Sequence, residues 1–284
     1  MAKHRYAMDE EKIARFLKEG RGQGGGADYK PFLTIHDVPS NGLSSRIPGR
    51  KTGRLHHTLS KIERALILIY DWDDDVSDLR EQFPLDREVT RQIAASMGVK
   101  HPQDPKTGVD IVMTTDVVVS YGKDAAKRLL PRAAKTTKEL NDSARVVEKL
   151  EIESRYWEIQ GAPWALITER EIPAVRVGNL EWLAEMRSLE HLVTPHPDYW
   201  RDRCQQFIHA LTRTQGASMQ WLCEQLQNEY GFDVGEPLTA LRHLASNKRV
   251  VYDLDRPFDI KASAGVFRVA DDEDADAVNL RRAA

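Results

Sequence analysis

Hydrophobic positions in the first half of the chain recur with helical spacing in four segments. These segments are MDEEKIARFLKEG, LSKIERALILIYDW, DREVTRQIAASMG and the stretch from Asn141 to Gln160. In the second segment, Ser60 and Glu63 lie three residues apart before an apolar run, which is the pattern of a capping box at a helix start. Each segment therefore predicts a helix with one apolar face to bury.

Four other segments have the composition of strands. VSDLREQFPL predicts a strand that runs into Pro84, and GVDIVMTTDVVVS predicts a buried strand that pairs with KRLLPRAAK across a turn at YGKD. Because Pro131 has no N–H to donate, it belongs at the start, at an edge or at a bulge of its strand. With a short buried strand in PWALIT, residues 1–170 are predicted to form an α/β domain, a mixed sheet flanked by helices.

Residues 171–284 predict a second, mainly helical domain. Three helical segments, WRDRCQQFIHALTR, ASMQWLCEQLQNEYG and GEPLTALRHLASNKRV, precede two short strand segments, VVYDLD and GVFRVA. This is the element order of a winged helix, in which the third helix stands at the DNA-reading position. Arg242, His243, Lys248 and Arg249 give that region a modest positive charge, so DNA binding and protein binding both stay open. The acidic tail DDEDAD predicts a disordered end.

Composition is typical of a globular protein. The chain has 284 residues, of which 41% are hydrophobic and 30% charged, enough for one large or two ordinary domains. It contains no apolar run of eighteen residues, and its N-terminal segment is too charged for a secretory signal, so neither a membrane span nor export is expected. Cys204 and Cys223 form no CxxC pattern and are predicted to be reduced structural thiols in a cytoplasmic protein.

Charge is unevenly distributed along the chain. Although the net charge is −3, residues 1–64 contain 13 Lys and Arg against 7 Asp and Glu. The acidic balance of the whole chain therefore does not exclude nucleic acid as a partner.

A glycine-rich stretch in this basic region matches GxGxxG at Gly20, Gly22 and Gly25. That pattern binds dinucleotides when it follows a strand and opens a helix, whereas here it follows a helix. We therefore predict a flexible loop, and leave open whether it touches phosphate.

Asp116 stands directly before Val117, Val118 and Val119, where a carboxylate is costly to desolvate unless a cationic group meets it. If the two predicted strands are neighbours, Lys135 near the end of the second can lie beside Asp116. A helix packed on the sheet can bring Glu63 to the same end.

Two carboxylates and a lysine are the groups of a metal-dependent nuclease. Mg²⁺ binds through one or two carboxylates plus water and substrate phosphate, and a nearby lysine can orient or help deprotonate the attacking water. Asp110 is too far along its strand to share the site. Glu148, Glu151 and Glu153 are expected on the solvated face of the long helix, with contact of Glu148 or Lys149 to the site residues as the alternative. The spacing alone is weak support, since similar patterns occur by chance.

Longer blocks of the chain make the nuclease hypothesis specific, because in order they resemble the TnsA family, the endonuclease subunits of heteromeric TnsA/TnsB transposases. The blocks are KEGRGQGGGADYKPFLTI, VPSNGLSSRIPGRKTGRLHHTLSKIE, REQFPL, TRQIA, GVKHP, MTTD, VEKLEIESRYW and NLEWL. The resemblance covers the first domain almost continuously and continues more loosely beyond residue 180. It implies a restriction-endonuclease-like fold that cuts the 5′ strands at transposon ends, together with a TnsB-like transposase and a TnsC-like ATP-dependent regulator.

The same resemblance implies site residues. The family's catalytic glutamate matches Glu63 and its aspartate matches Asp116. Its lysine, normally within Gln-Val-Lys-Pro, matches Lys135, although the glutamine and the proline are here Ala133 and Thr136.

Ala133 offers no side-chain ligand, so Mg²⁺, or Mn²⁺ in its place, would depend on the two carboxylates, a backbone carbonyl such as that of Ala134, water and phosphate. Lys138 is the competing lysine.

Basic residues before Glu63 are candidates for contact with double-stranded DNA. Arg50, Lys51 and Arg54 are predicted phosphate contacts, with a purely solubilising role as the alternative. His56 and His57 are poor metal ligands, since adjacent histidines rarely chelate one ion.

Two other functions compete with the transposase endonuclease. One is a non-catalytic winged-helix DNA-binding or scaffold subunit of a transposition complex, which would be favoured if Glu63, Asp116 and Lys135 lay more than about 10 Å apart. The other is a stand-alone restriction-type nuclease, although nothing in the sequence indicates a self-sufficient sequence reader.

Overall fold

The computed structural model describes residues 6–38, 44–122, 127–214 and 216–270. The chain divides into two compact units, Met1–Ile172 and Pro173–Ala284. The predicted acidic tail and the second half of the predicted YGKD turn lie outside the described residues. No described helix is long and apolar enough to cross a membrane.

The first unit is built on a four-stranded mixed sheet. Its strands are β3 (Val76–Pro84), β4 (Thr114–Tyr121), β5 (Arg128–Ala134) and β6 (Ala165–Ile167), after a separate hairpin of β1 (Ser45–Pro48) and β2 (Leu55–Thr58). In the order β3-β4-β5-β6, the first two pairings are antiparallel and the last is parallel. The predicted α/β class with a mixed sheet is therefore confirmed.

Helices flank this sheet. They are α1 (Glu10–Lys18), α2 (Lys61–Trp72), α3 (Arg87–Ser96), α4 (Thr137–Asp142) and α5 (Ala144–Ile159). α2 contacts β3 and β4, while Val118 of β4 packs in one buried cluster with residues of α3 and α5. The valine run that predicted a buried strand is thus the centre of the core.

The pairing of β5 accommodates its proline. Val118 pairs with Pro131, and β6 pairs only with the residues from Arg132 to Ala134. Pro131 therefore lies where β5 has a single neighbour, so its missing N–H leaves no gap in a central ladder.

Two predictions of element extent and one of burial were wrong. β4 begins only at Thr114, β6 is half-buried rather than buried, and the long helix is interrupted at Ser143. Ser143 has extended backbone angles, because α4 is a separate helix with its own capping box at Thr136 and Glu139.

The glycine-rich loop is packed against β3, contrary to the prediction of a flexible loop. The Gly22 N–H donates to the Lys30 carbonyl at 2.6 Å, and the Gly26 N–H donates to Asp78 Oδ1 at 3.1 Å. Gly22 has φ +82°, and a Cβ there would lie 2.1 Å from Pro84 Cγ. Only glycine fits this close approach.

The second unit has its own core. It contains α6 (Ala174–Ala184), α7 (Tyr199–Arg213), α8 (Met219–Tyr230), α9 (Glu236–Ser246) and the antiparallel pair β7 (Val250–Val251) and β8 (Arg268–Val269). Its buried cluster is formed by α7, α8, α9 and residues up to Phe267, and it includes Cys204 and Cys223. Both thiols are free, and burial raises the pKa of each to about 11, which is typical of structural cysteines.

The order of three helices and a strand pair is the predicted one, but the third helix is not an open reading surface. Arg242 donates to the Trp182 carbonyl at 2.9 Å and pairs with Glu185, and His243 Nδ1 donates to the Met186 carbonyl at 3.0 Å. Two of the four side chains that suggested DNA reading by α9 are therefore engaged within the unit.

Candidate active site

Asp116 lies in β4 beside the end of β5. Its Oδ2 accepts hydrogen bonds from the Ala134 N–H at 2.7 Å and from Lys135 Nζ at 3.1 Å. The side chain of Asp116 is 13% exposed. The antiparallel pairing of β4 and β5 brings the end of β5 to the beginning of β4, so the partner of the desolvated carboxylate is the predicted lysine.

Glu63 reaches the same place from the first turn of α2. Ser60 caps the helix by accepting from the Glu63 N–H at 3.1 Å, as predicted. The Glu63 carboxylate does not return to Ser60 but accepts from the Leu59 N–H at 3.0 Å. Burial, followed by the nearby Asp116 charge, raises the pKa of Glu63 to about 7.

Gln82 joins the two carboxylates. Its Nε2 donates to Glu63 Oε2 at 3.3 Å and to Asp116 Oδ1 at 3.4 Å. Because both oxygens accept from the same nitrogen, their separation cannot exceed the sum of these two distances. That is well inside the separation of about 10 Å at which a shared metal centre would be ruled out. No sequence pattern indicated this role, since a glutamine within a strand carries no motif.

Lys135 follows β5 directly and is anchored on the sheet by its N–H, which donates to the Ile167 carbonyl at 3.1 Å. Its Nζ also donates to the Ala134 carbonyl at 2.8 Å. Burial disfavours the charged ammonium, but the charge and hydrogen bond of Asp116 outweigh it, so the pKa of Lys135 is raised. The competing Lys138 is 82% exposed and pairs with Asp142, outside this cluster.

The Ala134 carbonyl lies within the cluster but is not bare. It accepts from Lys135 Nζ, which uses one of its two lone pairs. The predicted backbone ligand is thus adjacent to both Asp116 and Lys135, with one acceptor position remaining.

Glu153 is a member of this site that sequence reasoning missed. It was expected on the solvated face of α5, yet it is 5% exposed and accepts from Thr115 Oγ1 at 2.8 Å and Trp164 Nε1 at 3.1 Å. Burial, and then the charge of Asp116, raises the pKa of Glu153 to about 7. A signal existed, because Glu153 falls on the same helical stripe as Leu150 and Trp157.

The other predicted carboxylates lie as expected, away from the site. Asp110 pairs with Arg91 at 2.7 Å. Glu148 pairs with Arg145, and Glu151 pairs with Arg155 at 2.7 Å, both on the surface of α5.

Arg54 has a different role from the predicted phosphate contact. Its side chain is 10% exposed, and its guanidinium donates to both carboxylate oxygens of Glu81 at 2.7 and 2.6 Å and to the Leu79 and Gly26 carbonyls. Its donors are used inside the protein, so it holds the β1–β2 hairpin and the glycine-rich loop to β3.

Arg50 and Lys51 lie half-buried in the turn between β1 and β2. Their backbone N–H groups donate to the Asp71 carboxylate at 2.8 to 2.9 Å, and the Arg50 guanidinium lies 5.7 Å from the centre of the Trp72 ring. These contacts fix the turn on α2.

The predicted poor candidates for metal binding, His56 and His57, lie beside the hairpin anchor. His56 is fully buried, with its Nδ1 donating to Glu81 at 2.8 Å. Burial lowers the pKa of His57.

The residues present fit a hard divalent cation that keeps most of its water. No cluster of three or more His, Cys, Asp or Glu that could hold a metal ion occurs in the described part of the chain. Glu63 and Asp116 nevertheless form a desolvated like-charged pair. One or two carboxylates completed by water and phosphate are the usual Mg²⁺ site, so this pair suits such an ion.

A mixed α/β sheet that brings two such carboxylates and a lysine together is the arrangement expected of the DNA endonuclease class. Residues 73–169 match the TnsA-like endonuclease N-terminal family, and residues 171–254 match the TnsA endonuclease C-terminal family. The chain is also 39% identical, over 262 residues, to the transposon Tn7 transposition protein TnsA of Escherichia coli, covering 91% of each chain. It therefore belongs to the TnsA family, the endonuclease subunits of transposases.

Proposed function

We propose that this protein hydrolyses phosphodiester bonds of double-stranded DNA with Mg²⁺, for which Mn²⁺ substitutes, and that it cuts the 5′ strands at transposon ends during cut-and-paste transposition. The observation that supports this most directly is the convergence of Glu63 and Asp116 on one Gln82 amide, with Lys135 bonded to Asp116. Holding two desolvated carboxylates this close costs free energy, and a scaffold subunit would gain no function from that cost.

Glu63, Asp116 and the Ala134 carbonyl are the proposed metal-holding groups. A divalent cation bound there would supply Lewis-acid polarisation of the phosphoryl oxygens and a more acidic bound water. Because the pKa of Glu63 is about 7, this carboxyl group is partly protonated near neutrality when no metal is bound. A bound cation would displace that proton.

Lys135 is proposed to act as a cation. Since its pKa is raised, the ammonium form dominates, and it serves to orient the attacking water and to stabilise charge on the phosphoryl group rather than to remove a proton. Its bond to the Ala134 carbonyl holds the Nζ at the edge of the carboxylate pair.

DNA is proposed to approach along the turn that contains Arg50 and Lys51 and along the exposed side of α5. There, Lys149 lies one helical turn before Glu153, and burial, together with the like charges of Arg145 and Lys135, lowers its pKa. A phosphate would relieve that repulsion.

The proposed partners are a TnsB-like transposase, which cuts and joins the 3′ ends, and a TnsC-like ATP-dependent regulator. The E. coli relative named above is a transposition protein, which supports assembly on transposon ends. Stand-alone restriction-type cleavage finds no comparable support.

The test is nicking of a labelled duplex with transposon ends by the protein and its TnsB-like and TnsC-like partners, in Mg²⁺. Asp116→Asn should reduce 5′-strand cleavage at least ~10²-fold, because it removes a charge that holds the metal. Asp142→Asn, at an exposed residue paired with Lys138, is the matched control and should cleave normally. Equal cleavage by Asp116→Asn and wild type, or none by wild type in an otherwise active assembly, would overturn the proposal.

A further inference from the structure

Gln82 has an unusual backbone for a residue inside a strand. Its φ is +49°, and among the described residues other than glycine only Lys248 shares a positive φ. The flanking pairs, Glu81 with Val117 and Phe83 with Thr115, remain in register. A left-handed glutamine between two regular pairs is strained, and such strain persists where surrounding contacts impose it.

Those contacts hold Gln82 at both ends. Its carbonyl accepts from the Phe32 N–H at 3.2 Å, and its Oε1 accepts from Thr114 Oγ1 at 3.0 Å. The side chain is 2% exposed. Because the Thr114 hydroxyl donates to the Oε1 end of the amide, its NH₂ end faces Glu63 and Asp116, and ionised carboxylates accept from it.

One NH₂ group can donate to both carboxylates and still leave lone pairs on each for a cation. An ionised carboxylate has about four lone-pair sites, and Gln82 uses one on each residue. The remaining contacts on Asp116 are to its other oxygen, Oδ2, from Ala134 and Lys135. Two partial positive charges between two like-charged groups also reduce their repulsion.

We infer that Gln82 is a positioning residue, which fixes the spacing and orientation of Glu63 and Asp116 so that one divalent cation meets both carboxylates at once. It acts through those residues and touches neither the cation nor DNA. The strained backbone is the means by which a strand residue aims its amide between them. This inference rests on the proposed function, because it assumes that the carboxylate pair holds metal.

The experiment measures Mn²⁺ binding to the full-length protein without DNA, from the loss of the electron paramagnetic resonance signal of free Mn²⁺. Gln82→Met keeps the length of the side chain and removes both donors. Gln82→Asn keeps the amide and tolerates the left-handed backbone, but it is one methylene shorter and cannot reach both carboxylates. Gln92→Met, at an exposed glutamine of α3, is the matched control.

Both Gln82 variants should bind Mn²⁺ roughly 10- to 100-fold more weakly than wild type, the usual effect of losing a group that orients metal ligands. Nicking with partners should recover in large part at saturating Mn²⁺, since the ligands and Lys135 remain. Circular dichroism gives the folded fraction, so a merely structural role would lower that fraction and leave the affinity of folded molecules unchanged. Unchanged or tighter binding by either folded variant overturns the inference.

Asp116→Asn in the same titration separates the two proposals. If Asp116→Asn binds Mn²⁺ as tightly as wild type, the proposed metal site itself fails. If it loses binding while the Gln82 variants keep it, only the positioning role fails.

Discussion

Burial gives Glu153 a property that its neighbours on α5 do not have. Its carboxyl group lies among Thr115, Trp164 and the Asp116 charge, and its pKa is raised to about 7 by burial and then by Asp116. The pKa of Glu63 is raised to a similar value by the same two causes. Two buried carboxyl groups with raised pKa values thus lie beside Asp116, and ionising them costs free energy that lowers the stability of the metal-free protein as pH rises.

Glu153 is expected to make the metal-free protein less stable as pH rises. The folded state holds this proton more tightly than the unfolded state, so stability is lost between about pH 4.5 and pH 7. At roughly 1.4 kcal/mol per pKa unit, the loss by pH 8 amounts to about 3 kcal/mol. Urea unfolding should give similar free energies of unfolding for Glu153→Gln and wild type at pH 5. At pH 8 the variant should be the more stable of the two.

Glu151→Gln controls for the loss of a carboxylate from α5, because Glu151 is exposed and paired with Arg155. The free energy of unfolding of Glu151→Gln should stay within about 0.5 kcal/mol of the wild-type value at both pH values. A difference between Glu153→Gln and wild type that did not change with pH would contradict the assignment of a raised pKa to Glu153.

At the scale of elements, the β1–β2 hairpin depends on one buried carboxylate. Glu81 of β3 accepts from Arg54, from His56 and from the His57 N–H at 3.0 Å. Burial would raise the pKa of Glu81, but its hydrogen bonds and charge interactions with Arg54 and His56 lower it to about 2. The hairpin leads into α2, so the same anchor supports the helix that presents Glu63.

Glu81→Gln should destabilise the protein by about 3–5 kcal/mol at pH 7, because it leaves a buried guanidinium without its counter-charge. The contribution of Glu81 is present above the unfolded pKa near 4.5 and is lost as pH falls toward 2. Urea unfolding at pH 7 and pH 4 should therefore show a smaller effect at the lower pH. Glu88→Gln, at a 67% exposed glutamate, should change little, and an equally small effect of Glu81→Gln would refute the anchoring role.

Periodicity in the sequence correctly indicated most of these elements but not the hairpin that Glu81 anchors. Apolar spacing gave α2, α3 and β4 because each buries a regular face. β1 and β2 carry few apolar residues, and their stability comes from Arg54 and Glu81, which are 27 residues apart in the chain. A pattern read along the chain does not contain such a contact.

At the scale of the whole molecule, the chain consists of two units with separate cores. The buried cluster of the second unit is drawn entirely from residues between Cys204 and Phe267. α6 adds to it, with the Trp182 ring stacked 4.5 Å from that of Phe258. A unit that buries its own apolar surface should fold without the rest of the chain.

Residues 173–284, expressed alone, should therefore be helical by circular dichroism and unfold in one cooperative thermal transition. A fragment starting at residue 199 lacks α6, Trp182 and the carbonyl that accepts from Arg242, so it should melt at a lower temperature. A longer fragment with no cooperative transition, or equal melting temperatures for both fragments, would show that the core of this unit is not organised in this way.

The sequence by itself determined the α/β class, the order of the four sheet strands, most of the helices, and the identity of Glu63, Asp116 and Lys135 as candidates. Apolar periodicity is a local property of the chain, so it can be read from the sequence. Long blocks that resemble the family also match individual residues to the family's catalytic residues. Only the tertiary structure decided that Gln82 lies between the two carboxylates, that Glu153 faces them, and that Arg54 is turned inward to Glu81. Each of these depends on residues far apart in the chain, where desolvation and charge pairing, rather than local preference, set the direction of a side chain.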